Sequence, residues 1–202
     1  MESYINDVKK IKEKYKDQIK INIGAEVDYI EGFEEEIKNN LNKYGEYLED
    51  GILSVHMIKI EDKYYCMDFS CEEFEKIVNL LGSIESVYNL YYETLIKAIN
   101  SDLGKYKPKR IGHLNLVRKY NKKFPYDYSN NKKLKELVKL ISDRGYELDY
   151  NIAGLFKEDC GETYISGYLA ELIKQYNIKL VLGSDSHSAK YIDKYEKLNE
   201  QI

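Results

Sequence analysis

Five short apolar stretches, each running into a polar residue able to do chemistry, alternate with amphipathic helical stripes, and this alternation limits the fold more than any other feature. Ile5, Val8, Ile11 and Tyr15 recur near helical spacing, and QIKINIGAEVDYI after them reads as a strand. Phe33, Ile37, Leu41 and Tyr44 make a second stripe, followed by the strand DGILSVHMI, which begins at the turn signal Asp50-Gly51. A long helical stretch from about Cys71 to Asn100 is broken near Gly82-Ser83, and PKRIGHLNL, started by Pro108, is a third strand. Leu134, Leu137, Val138 and Ile141 form an amphipathic helix stopped at Gly145, ahead of the strand YELDYNIAG. Leu169, Leu172, Ile173 and Tyr176 form the last helix before the strand IKLVLGSD.

Strand and helix in alternation, with mostly apolar strands, is the pattern of a parallel sheet in an α/β protein. A doubly wound sheet and a barrel both produce it. The five strands end in Glu26, His56, His113, Asn151 and Asp185. A barrel of parallel strands brings every such end to one mouth, whereas a doubly wound sheet concentrates its polar residues near one crevice. The barrel is therefore the expectation. No internal repeat, linker or composition shift divides the chain, so residues 1–202 read as a single domain.

Charge and composition exclude several functions. Thirty-one basic and 35 acidic side chains give a net charge of −4, with the two signs interspersed, so a nucleic-acid partner is not expected. No apolar run approaches the ~20 residues of a membrane span. The N-terminus MESYINDVKK lacks a signal-peptide core. Cys66, Cys71 and Cys160 are odd in number and form no C-x-x-C pair, which argues against a disulfide framework or a zinc knuckle. The expectation is a cytoplasmic protein without membrane or nucleic-acid partners. The 21 tyrosines against 5 phenylalanines and no tryptophan read as compositional bias and carry no functional inference.

The three histidines carry more. His56, His113 and His187 each follow a short apolar run, in ILSVH, RIGH and VLGSDSH. Any one alone reads as an ordinary structural histidine. All three at strand ends, beside Glu26 and Asp185, point instead to metal, because neutral imidazole and carboxylate are natural ligands for zinc, iron or manganese. Glu26, His56 and His113 from three neighbouring strands supply three protein ligands and leave positions for water or substrate, the mark of a catalytic metal site. No G-x-S-x-G elbow surrounds Ser184 or Ser186, and there is neither a P-loop nor a G-x-G-x-x-G. The acidic run in EGFEEEIKNN reads as a solvated helix face. Metal-dependent hydrolysis is the leading class.

The stretches IGAEVDYIEG, ILSVHMI, RIGHLNLVRKY, ELDYNIAGLFK and VLGSDSHS, in that order through nearly all of the chain, resemble the PHP (polymerase and histidinol phosphatase) superfamily. RIGHLNLVRK, DYNIAGLFK and the following CGETYIS resemble its histidinol-phosphatase branch. The resemblance implies a seven-stranded TIM-like barrel whose mouth holds two or three divalent metal ions (zinc, manganese or iron) and hydrolyses a small phosphate monoester. Histidinol phosphate would give histidinol and phosphate in histidine biosynthesis. It further implies that Glu26 bridges two metals, that His56 and His113 complete the second, and that Asp185 ligates the first and His187 the third, both within the catalytic machinery. Arg118 and Lys157 are candidate cations for the substrate phosphate, and Asn151, at the mouth, is a candidate to hydrogen-bond substrate or a metal-bound water.

The family opens with an H-x-H strand and a second histidine-bearing strand that have no counterpart here, and it runs on past SDSHS into a further helix and tail. The expectation is thus an incomplete (β/α)7 barrel of the PHP type, truncated at both ends, with about five of seven strands. Such a chain would hold fewer metals than the family cluster and would be impaired alone. Its two unpaired strand edges invite self-association or a complementing chain. Two alternatives stay open: a non-catalytic metal- or phosphate-binding fragment that needs a partner, and a PHP-type phosphatase for another small phosphate monoester.

Overall fold

The structure, a computed structural model, describes residues 1–189 and Ile192. Helix α1 (Glu2–Lys14) precedes strand β1 (Gly24–Asp28), and α2 (Glu34–Tyr44) leads to β2 (Asp50–Ser54). A hairpin of β3 (Met57–Ile60) and β4 (Lys63–Cys66) follows, then α3 (Cys71–Leu81), α4 (Ile84–Asn100) and the short β5 (Arg110–Ile111). Helix α5 (Lys132–Asp143), β6 (Glu147–Asn151), α6 (Gly167–Gln175) and β7 (Leu180–Gly183) complete the described order.

Five strands form one sheet in the order β1-β2-β5-β6-β7, with every pair parallel. That order separates the two architectures left open by the sequence. Spatial order follows chain order with no reversal, so the sheet has no topological switch point of the doubly wound kind. With right-handed crossovers, stepping always the same way places the connecting helices on one face, as in a barrel wall. The fold is an α/β arrangement of five parallel strands, an incomplete barrel as expected.

The antiparallel hairpin β3–β4 was not foreseen. MIKI and KYYC pair across a turn at Glu61-Asp62, with Glu61 at φ 53° in the left-handed region. Without the glycine or asparagine that usually marks such a turn, the sequence carries no hairpin signal. The break in the long helix is where the sequence puts it. Gly82 ends α3 at φ 77°, and the Ser83 hydroxyl accepts the Ser86 N–H at 3.1 Å to open α4.

The core lies between sheet and helices. Leu53, Ile111 and Leu148 on the central strands are fully shielded, as are Tyr88, Tyr91, Tyr92 and Leu95 on α4. Buried phenols need partners. Tyr92 Oη donates to Asn115 Oδ1 at 2.7 Å, and Tyr91 Oη reaches the His113 carbonyl at 3.5 Å, so α4 grips the segment that follows β5. No helix among the described residues is long and apolar enough to cross a membrane.

β1 and β7 are the edges of the sheet, and Leu180 and Leu182 on β7 stand exposed. β7 approaches β6 closely at Gly183, where an added Cβ would lie 1.9 Å from Asp149 Oδ1. Gly183→Ala is therefore expected to destabilise the fold by about 1–3 kcal/mol through overpacking, read as a lowered denaturation midpoint. An unchanged midpoint would mean that the two strands spread without cost.

Candidate metal centre

Glu26 is the middle residue of β1, while His56 and His113 each lie two residues beyond the ends of β2 and β5. Because β1, β2 and β5 are neighbours, three separate chain segments deliver these side chains to one rim of the sheet. Their ligand atoms all lie within 4.8 Å of one another, with Glu26 exposed, His56 intermediate and His113 buried. His113 Nε2 is 3.1 Å from Glu26 Oε1, and His56 Nε2 is 3.6 Å from the same oxygen. The two imidazoles meet edge to face with centroids 4.7 Å apart.

The electrostatics suit a cation. The hydrogen bond from His113 holds the Glu26 carboxyl down at about 2, against the burial that pushes it up, with the charges of His113 and His56 adding to the drop. Burial pushes His56 down, but the carboxylates of Asp28, Asp68 and Glu26 more than reverse this and leave it above the ordinary histidine value. Around neutral pH the site thus carries a permanent carboxylate facing two imidazoles. One carboxylate and two ring nitrogens on a common centre fit a single divalent ion with open coordination positions. His113 Nδ1 is buried without a partner among the described residues, so that ring is held by its other nitrogen and by packing.

A further layer of acidic residues supports the three. Asp28 Oδ1 accepts the His56 backbone N–H at 3.1 Å and lies 3.2 Å from His56 Nδ1. Asp68 stands near His56, takes the Lys119 ammonium at 3.0 Å and accepts the Cys66 thiol at 3.3 Å. Asp149, on β6 beneath His113, has its carboxyl pushed up by burial while Asn151 Nδ2 and the His113 backbone N–H pull the other way. None of these three was singled out from the sequence. Period-two alternation was the available signal for two of them: Asp28 shares a strand face with Glu26, and Asp149 shares one with Asn151.

The other expected site residues are placed differently. Asp185 and His187 stand outside the Glu26–His56–His113 group. After β7 the chain turns at Asp185 with φ 51°, His187 Nε2 lies 3.1 Å from Asp185 Oδ1, and the His187 side chain is 86% exposed. Together with Lys157 and Ala153 they line an open cleft of about 540 Å³. The Asp185 charge is felt by Tyr164, whose ring meets His113 edge-on at 6.1 Å, so this cleft and the metal group share one rim. Arg118 is turned to structural work, paired with Glu162, donating to the Tyr126 carbonyl at 3.3 Å and lying over the Tyr128 ring. Asn151 is buried, donating to Asp149 and accepting the Ala153 N–H at 2.9 Å, so it shapes the turn after β6.

The chain matches the PHP domain family over residues 1–153. It is 43% identical over 193 residues to the histidinol-phosphatase of Bacillus subtilis (strain 168), covering 94% of this chain and 71% of that protein. It is 28% identical over 194 residues to a provisionally named histidinol-phosphatase of Schizosaccharomyces pombe (strain 972), covering 92% of this chain but only 60% of that one. Its structure superposes with a TM-score of 0.91 on the crystal structure of a protein provisionally assigned as the histidinol phosphatase of Listeria monocytogenes. That superposition, at 37% identity, covers 97% of this chain and 74% of the other.

Zinc affinity measured by chelator competition is expected to collapse in His113→Ala and in Glu26→Gln while the fold persists. In the unaltered protein the affinity is expected to weaken as pH falls. Protons compete for His56, whose folded-state pKa is raised, so the weakening begins above 6.5, whereas Glu26 stays ionised down to about 2. A pH-independent affinity above pH 5 would remove both histidines from the ligand set.

Proposed function

The chain belongs to the PHP domain family, and on that premise we propose that it is a cytoplasmic, metal-dependent phosphate monoester hydrolase that converts histidinol phosphate and water to histidinol and phosphate, with residues 1–202 working as one phosphatase domain. The observation that carries this reading is the convergence of Glu26, His56 and His113 on one centre, in a chain 43% identical to a histidinol-phosphatase.

Glu26, His56 and His113 would hold a divalent ion, with zinc, manganese and iron all suited to mixed nitrogen and oxygen ligands. Such an ion, when bound, polarises a phosphoryl oxygen and lowers the pKa of a water beside it. The remaining work falls to the chain. Glu26 and the acidic layer behind His56 keep the rim anionic, which draws in a cation but repels a bare phosphate. Lys157, on the cleft that Asp185 and His187 line, offsets that repulsion for the phosphate end of the substrate. Asp185 and His187 are assigned to the same catalytic site, Asp185 holding the His187 imidazole by its hydrogen bond. Arg118 and Asn151, which fix the loops after β5 and β6, are assigned to the substrate phosphate and to substrate or a metal-bound water respectively. Among the described residues β1 and β7 each pair on one side only, which supports a further expectation, that a second copy or a complementing chain pairs there.

Phosphate release from histidinol phosphate is the test. Turnover is expected with added zinc, manganese or iron, to stop with chelator and return with metal, and to fall by at least about a hundredfold in Glu26→Gln, since the variant removes the charge the ion needs. Metal-loaded protein that releases no phosphate from this substrate, yet hydrolyses another small phosphate monoester, would keep the reaction class and discard the substrate.

A further inference from the structure

Asp28 lies two residues beyond Glu26 on the same strand, so alternation turns both carboxylates toward the same rim. Asp28 Oδ1 meets His56 twice, accepting its backbone N–H at 3.1 Å and lying 3.2 Å from ring Nδ1. His56 is two residues beyond β2, and Asp28 pairs in register with Ser54 at the end of that strand. One oxygen therefore fixes both the place where the chain leaves the sheet and the rotation of the ring.

We propose that Asp28 is a positioning residue for His56, holding the imidazole proton at Nδ1 so that Nε2 is presented bare toward Glu26. The opposite tautomer would set the Nδ1 lone pair against an anionic oxygen at 3.2 Å, two acceptors in contact. The separation on the other side agrees: His56 Nε2 is 3.6 Å from Glu26 Oε1, too long for a hydrogen bond, whereas His113 Nε2 is 3.1 Å from it. The nearby Asp68 is not a substitute acceptor, because its oxygens are engaged by Cys66 and Lys119. His113 has no counterpart, since its Nδ1 is buried and unpartnered among the described residues. The control is thus asymmetric, acting on one ligand of the pair. A carboxylate behind a ligating histidine orients the ring and raises its basicity, and losing one typically costs 10–100-fold in metal affinity. The inference rests on reading Glu26, His56 and His113 as the metal site.

The test reads the ring directly. In metal-free protein labelled with 15N-histidine, two-bond 1H–15N correlations at alkaline pH, where the rings are neutral, distinguish the tautomers. His56 is expected to carry its proton on Nδ1 in the unaltered protein and in Asp28→Asn, whose amide oxygen remains an acceptor. Asp28→Ala is expected to shift His56 toward the Nε2–H form while the His113 signals stay put. Zinc affinity by chelator competition should drop about 10–100-fold in Asp28→Ala and much less in Asp28→Asn. An Nε2–H tautomer in the unaltered protein, or an Asp28→Asn variant as impaired as Asp28→Ala, would overturn the proposal. Should the tautomers behave as expected while the unaltered protein binds no zinc, manganese or iron, the metal reading fails, and with it Asp28's part in ligation.

Discussion

Parallel pairing is the constraint from which the rest of this structure follows. A parallel strand cannot return by a hairpin, so each connection runs back along the sheet, and every strand ends at the same rim. With the order β1-β2-β5-β6-β7, residues at or just beyond those ends become neighbours in space although long stretches of sequence separate them. His56 and His113 meet for this reason, and Glu26 joins them from the middle of the neighbouring β1. The hairpin β3–β4 and the helices α3 and α4 fill the interval between His56 and His113 without disturbing that outcome. They also secure it, because Tyr91 and Tyr92 on α4 hold the segment that carries His113.

Close packing behind the rim gives the site its stiffness. Asp149 is buried between neighbours on β6 and β7, and a Cβ at Gly183 would press on its carboxylate at 1.9 Å. Gly112, just before His113, is equally constrained, since a Cβ there would lie 2.2 Å from Ser54 Oγ. These two glycines are needed for clearance rather than for backbone freedom, as neither has a positive φ. A ligand set built on such contacts cannot shift by much, and rigid ligand placement is what a catalytic ion requires.

The sequence makes the architecture legible because periodicity reports burial, and burial is what the strands and helices share. The break at Gly82-Ser83 and the stop at Gly145 are local chemistry and were readable as such. The hairpin escaped because Glu61 adopts a left-handed conformation that nothing in MIKIEDKYYC announces. His56 and His113 were legible as polar residues at strand ends, whereas Glu26, expected to end its strand, lies in the middle of β1, which runs on to Asp28. Asp68 was not, since its place beside His56 depends on how the hairpin folds back, and Lys119 reaches it from a loop 51 residues away. The pairing of Arg118 with Glu162, which lies 44 residues further along, was not legible in the sequence either. The tyrosine excess also means more than bias where the hydroxyls are buried and bonded.

The charge balance at the rim is the last step. Glu26, Asp28 and Asp68 surround His56, and among the described residues Lys119 is the only lysine or arginine paired with any of them, leaving the imidazoles in a net negative field. A fold that merely needed to fill this space would do better with apolar side chains, because partly buried carboxylates are costly without compensation. The raised pKa of His56 shows one form of compensation, a proton taken up by the ring. A divalent cation would be the stronger form: Glu26, His56 and His113 would hold it in place of the proton that His56 loses, while the proton retained on His56 Nδ1 stays with Asp28. The acidic layer and the histidines thus answer one another: each makes the other affordable only when a positive charge sits between them.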